Sequence, residues 1–193
     1  TGNPLFIAKS LNNYWARKGA VNRSITIEGI QMFNKSIFNS YNPFAQVNYS
    51  YLGDNQDLFY MFDAANIALL GEHGLSTHQR KFYFNKIENQ FYPVYYDGNS
   101  NFIELGHIRW KNDYVDKTNL YKGAGKLLTI VDINKDSFYK KINNRGLNFN
   151  KALTDGLVDK FIHNLKIISE QPIQKEPLHK NFFENRDITN FPD

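Results

Sequence analysis

Five polar side chains crowd into two short stretches of an otherwise apolar region: Glu72, His73, His78 and Gln79 in GEHGLSTHQ (71–79), and Asp97 in YYDGN (95–99). Between them run two aromatic segments, KFYF and FYPVYY, separated by the polar NKIENQ. Apolar segments flanking such a turn form a β-hairpin, and a hairpin returns the chain to its start, so Gln79 and Asp97 are expected to be neighbours. An amide oxygen and a carboxylate side by side suit a hard cation such as Mg²⁺. The competing reading is a solvated polar loop beside a turn aspartate.

The elements that must position these residues follow from periodicity and punctuation. DNQDLFYMFDAANIALLG (54–71) predicts a helix capped by Asp54, with Asp57 in its first turn and Leu58, Phe62, Ala65 and Leu69 as its apolar stripe. The hairpin is expected to pair Lys81–Phe84 with Phe91–Tyr96; its aromatics fall on both faces, which predicts burial on each side and a buried strand end at Asp97. Upstream, 5–18 reads as a helix stopped by Gly19, 21–30 as a short extended segment, and Asn42–Pro43 as a turn. Downstream, the pattern predicts helical pieces over 99–122, an extended LLTIV at 127–131 and a helix begun by Asp136. An amphipathic helix follows from Leu153 to Ile168, on Leu157, Phe161, Leu165 and Ile168, and then an irregular tail over 170–193. The fold class is α+β, mostly helical around a central buried β-hairpin, in a single domain or fragment spanning 1–193.

Composition narrows the function classes. With 41% hydrophobic and 16% aromatic residues the chain is too apolar to be disordered. A net charge of +4 is spread along the chain without a run of Lys and Arg, which argues against a nucleic-acid partner. Absence of cysteine excludes disulfides and thiolate chemistry and fits either redox compartment. No apolar stretch reaches the roughly 18 to 20 residues of a membrane span.

The order of helix, G-acid-H-G loop, His plus amide, FYFN, turn, and aromatic-Pro-x-aromatic-aromatic-Asp resembles the core of the spore coat protein H (CotH-like) kinase family. The resemblance covers roughly residues 55 to 98. It implies an atypical protein-kinase fold, of which this chain would be the C-terminal lobe without its N-terminal partner, and phosphotransfer from ATP with Mg²⁺ to a hydroxyl of a protein substrate. Residue by residue, Asp97 matches the metal-binding acid in the role of the kinase DFG aspartate. Gln79 stands where the family usually has a metal-binding Asn, and Glu72, or in second place His73, occupies the neighbourhood of the catalytic acid. Tyr96 matches the aromatic before the metal-binding acid and, with His78, falls on the cofactor side. A reading from a different class stands beside it: a non-catalytic binding module, either a pseudokinase or an aromatic-rich domain that recognises protein or glycan.

Two other motifs dissolve on inspection. KGAGKLLT (122–129) lacks the G-x-x-x-x-G-K-[ST] spacing of a phosphate loop and reads as a glycine turn. DINKDS (132–137) opens like a calcium loop, but Ser137 stands at the required glycine, which leaves a helix start at Asp136.

Overall fold

The computed structural model describes residues 8–40, 46–76, 79–105, 115–131, 135–146 and 149–170. Six α-helices and one two-stranded antiparallel sheet occur among them: α1 (Asn13–Arg17), α2 (Ala20–Phe38), α3 (Gln56–Ala68), β1 (Lys81–Asn85), β2 (Gln90–Val94), α4 (Lys117–Val131), α5 (Lys135–Asn144) and α6 (Lys151–Ser169). Short 3-10 turns stand at Tyr49–Tyr51 and Glu72–Leu75. The expected turn at Asn42–Pro43, His78 and the tail beyond Glu170 lie outside the described residues, as does part of 99–122.

Two cores meet along α3. On one side α3, α4 and α6 bury Ala64, Ile67, Ala68, Leu120, Ala124, Leu165 and Ile168, closed from the loop by Leu75. On the other, Tyr49, Leu52, Phe59 and Phe91 form an aromatic core with Met32, Phe33, Phe82 and Phe84 packed against it. The α3–α4 seam is close because α4 presents Gly123 to the backbone of Tyr60, where a Cβ would overlap the carbonyl and stand 2.9 Å from Met61 N. KGAGKLLT is therefore helix interior, neither phosphate loop nor glycine turn.

The helix at 54–71 and the amphipathic helix toward the C-terminus are present as expected, and α5 begins with Asp136 in its first turn. Other expectations need correction. The segment 21–30 is helical, within α2, because Gly29, Met32 and Phe33 fall at helical spacing toward the aromatic core; the Ile25/Ile27 alternation is incidental to that period. LLTIV likewise ends α4, whose inward positions Leu120, Gly123, Ala124, Leu127 and Leu128 follow the helical period. The first helix is only five residues long, capped by Asn12 Oδ1 accepting from Trp15 N at 3.0 Å, and Gly19 precedes α2 as its N-cap. In α3 the most buried stripe is Phe59, Asp63, Ala64 and Ile67, one residue on from the expected one, and Asn55 replaces Asp54 at the cap.

The hairpin pairs Lys81 with Val94, Tyr83 with Tyr92 and Phe84 with Phe91. Alternation then sends Phe82, Phe84, Phe91 and Pro93 to one face and Lys81, Tyr83, Tyr92 and Val94 to the other. The first face packs on α2 and α3, with Phe33 and Phe82 ring centroids 4.6 Å apart. The second is open to solvent, Tyr83 being 59% exposed. The hairpin is thus half solvated, and Asp97 leaves an exposed strand end. No helix of the described residues is long and apolar enough to cross a membrane.

Candidate functional site

The chain reverses at the end of α3 through Leu70, which adopts a left-handed φ of 57°, and the Gly71 amide donates to Asn66 O at 2.6 Å. The 3-10 turn Glu72–Leu75 follows at once and drives Leu75 fully into the helical core. Five residues on, Arg80 turns back underneath. Its Nε donates to Leu75 O at 2.7 Å, and its guanidinium meets Asp63 of α3 in a two-pronged contact, Nη1 to Oδ1 at 3.1 Å and Nη2 to Oδ2 at 3.4 Å. The Tyr49 hydroxyl completes the set, donating to Asp63 Oδ2 and accepting from Arg80 Nη1. The Arg80 and Asp63 side chains are only 4% and 2% exposed.

Burial without compensation would make this trio costly, since each charge loses its hydration. Here the two charges neutralise each other and Tyr49 takes up further hydrogen-bonding capacity. Burial pushes the Tyr49 phenol well above its ordinary pKa, with the Asp63 carboxylate adding to the rise and the Arg80 guanidinium opposing it. Burial likewise raises the Asp63 carboxyl, against the pull of Arg80 and the Tyr49 hydrogen bond. Arg80 stays a cation: desolvation favours its neutral form, but Asp63 and Tyr49 together outweigh that and raise its pKa. The consequence is positional, because a bidentate guanidinium admits few geometries. It fixes Leu75 and Arg80, on either side of the loop, to α3 and to the 3-10 turn at Tyr49.

The Asp97 turn is held against the same loop. A Cβ on Gly74 would lie 3.0 Å from both Gly98 Cα and Tyr96 O, so the two backbones approach as closely as glycine permits. Asp97 and Asn99 both have positive φ, 48° and 51°, a conformation that Asp and Asn accept more readily than other side chains. At the surface His73 Nε2 then stands 3.6 Å from Asp97 Oδ2, with the two side chains 59% and 56% exposed.

The residues singled out from sequence fall as follows. Glu72 is half-buried in the 3-10 turn and His73 is exposed beside it. Gln79 is half-buried immediately before β1, while Tyr96 is exposed with Lys81 Nζ 4.8 Å from its ring centroid. His73 and Asp97 are brought together. Among the described residues, no group of three or more His, Cys, Asp or Glu side chains is arranged to hold a metal ion. One carboxylate and one amide do not fit a resident Mg²⁺; such a set suits only an ion that arrives with phosphate oxygens and water filling its other positions.

No family model, curated protein or solved structure matches this chain. The site therefore rests on its own geometry. The sequence reading missed Tyr49, Asp63 and Arg80, although a signal existed: Asp63 lies four residues from both Phe59 and Ile67, in the middle of a buried stripe, and Arg80 immediately precedes an apolar strand. An acid in such a register implies a buried cation. Asn164 was missed too. Fully buried on α6, it donates to Ala68 O and Ile103 O and accepts from Leu105 N, each at 2.7 Å, and so ties the segment beyond the Asp97 turn to the end of α3.

Proposed function

We propose that this chain is part of a phosphotransferase similar to the CotH-like kinases, contributing the lobe that carries the metal-binding acid, in a protein that transfers phosphate from ATP to a protein hydroxyl. The observation that carries the reading is the construction of the loop. A surface loop of no consequence does not need a buried Arg80–Asp63–Tyr49 anchor beneath it and a glycine-to-glycine approach beside it, whereas a catalytic constellation needs its supporting shell. In this reading Asp97 and Gln79 face a Mg–nucleotide, Glu72 or His73 accepts the proton of the incoming hydroxyl, and Tyr96 with His78 borders the nucleotide. Phosphoryl transfer asks mainly for positioning and charge stabilisation, which is what an anchored loop supplies.

Thermal melts of wild type and Asp97→Asn, each with and without Mg²⁺ plus ATP, test it. The expected outcome is a rise in melting temperature with Mg–ATP for the wild type alone. Identical curves in all four samples return Asp97 to an ordinary turn residue.

One observation favours a second reading, a binding module without catalysis. The open hairpin face displays Tyr83 and Tyr92 with ring centroids 6.4 Å apart, beside exposed Val94 and Tyr96. Adjacent exposed aromatics form a platform for a glycan or a protein side chain. Retention on immobilised oligosaccharide that Tyr83→Ser abolishes and Asp97→Asn leaves intact would select this reading.

A further inference from the structure

The N-terminal stretch is basic without being a run of Lys and Arg. The first 27 positions contain Lys9, Arg17, Lys18 and Arg23 and no acid, a local charge of +4. The same stretch is short of tertiary packing. Helix α1 buries none of its residues, although a five-residue helix is far below the length that is stable alone in water. Along α1 and its flanks large apolar groups face outward: Leu11 just before it and Tyr14 within it are each 75% exposed, Trp15 is 37% exposed, and Val21 at the start of α2 is 70% exposed. The bond from Asn22 Nδ2 to Trp15 O at 3.0 Å draws the first turn of α2 against α1. Lys18 Nζ lies 4.9 Å from the Tyr14 ring centroid, a cation held over an exposed aromatic.

We propose that residues 9–23 are a docking patch for an anionic lipid surface. Aromatic rings at a boundary between apolar and charged groups, with long basic side chains at their edge, match the headgroup region of a bilayer. Nucleic acid would use the bases and the rings but gives no role to exposed Leu11 and Val21, and that distinguishes the two partners. The patch lies on the membrane rather than across it, consistent with the lack of a spanning helix among the described residues. The inference is independent of the proposed phosphotransfer.

The test is flotation of the full chain with vesicles of phosphatidylcholine alone and of phosphatidylcholine with 30 mol% phosphatidylserine, with Trp110→Phe as a background in which Trp15 is the sole tryptophan. Binding is expected only to the anionic vesicles, with a blue shift of Trp15 emission. Each basic residue near such a surface contributes about fivefold in affinity, so Arg17→Gln/Lys18→Gln should weaken binding about 25-fold. Leu11→Ser/Val21→Ser should weaken it about tenfold or more through lost apolar burial. Because α1 contributes nothing to the interior, neither pair should change the melting temperature, which separates lost docking from lost folding. Equal binding to neutral vesicles, no binding to either, or binding to single-stranded polynucleotide or polyglutamate that is insensitive to Leu11→Ser/Val21→Ser would overturn the proposal.

Discussion

Gly123→Ala inverts the usual effect of filling a helical glycine. In an exposed helix interior the change is worth about 1 kcal/mol in favour of alanine. In α4 the new methyl would overlap the Tyr60 carbonyl and press to 2.9 Å on Met61 N, and both belong to the backbone of α3, which cannot rotate away. The helices must separate by on the order of 1 Å, and a gap of that size forfeits a quarter to a half of each contact across the seam. Since the seam includes buried Ala64, Leu120 and Ala124, the propensity gain is outweighed, and the net expectation is about 2 to 3 kcal/mol of destabilisation. For a chain of this length that lowers the melting temperature by about 5 to 10 °C. Gly125→Ala, two residues along the same helix, meets nothing within 4 Å and should raise the melting temperature by about 1 to 3 °C. Urea titrations followed by circular dichroism, run on both variants, give the comparison. If Gly123→Ala stabilises as much as Gly125→Ala, the close approach of α3 and α4 is wrong.

Two further outcomes concern the buried trio. Arg80→Met leaves the Asp63 carboxylate without its cation and should cost about 3 to 5 kcal/mol, while Tyr49→Phe/Asp63→Leu/Arg80→Met together should recover most of the loss, as measured by urea midpoints. Tyr49 also predicts an alkaline limit. Its folded pKa lies above the unfolded value of about 10, so its contribution is fully present below that pH and is lost as pH rises toward the folded value; phenolate absorbance should show one tyrosine that ionises only as circular dichroism reports unfolding, and Tyr49→Phe should remove that step.

Legibility in the sequence followed the strength of the local pattern. Helices α3 and α6 and the hairpin carry enough apolar residues at one period to be found without tertiary information. Segments 21–30 and 127–131 do not, because β-branched residues favour strands locally while the packing of Gly29 under Phe84 and of Gly123 under α3 decides for helix. Hairpin topology predicts Asp97 beside Gln79; the approach the structure shows is to His73 and Gly74, through the 3-10 turn. The buried support of the loop was missed because the expected stripe of Leu58, Phe62, Ala65 and Leu69 sits one residue away from the actual one, in which Asp63 lies between Phe59 and Ile67 and meets Arg80 and Tyr49, 17 and 14 residues away.

The three hydrogen bonds of Asn164 impose an order of assembly. Its partners Ala68 and Ile103 precede it by 96 and 61 residues. A chain emerging from the ribosome can form α3, the hairpin and the Asp97 turn long before α6 exists, with Asn101 N already donating to Leu69 O at 2.6 Å, but the bonds to Ile103 O and Leu105 N wait for Asn164. The segment 103–105 is therefore fastened last, after the turn that brings His73 to Asp97 has been set by its own contacts with the end of α3.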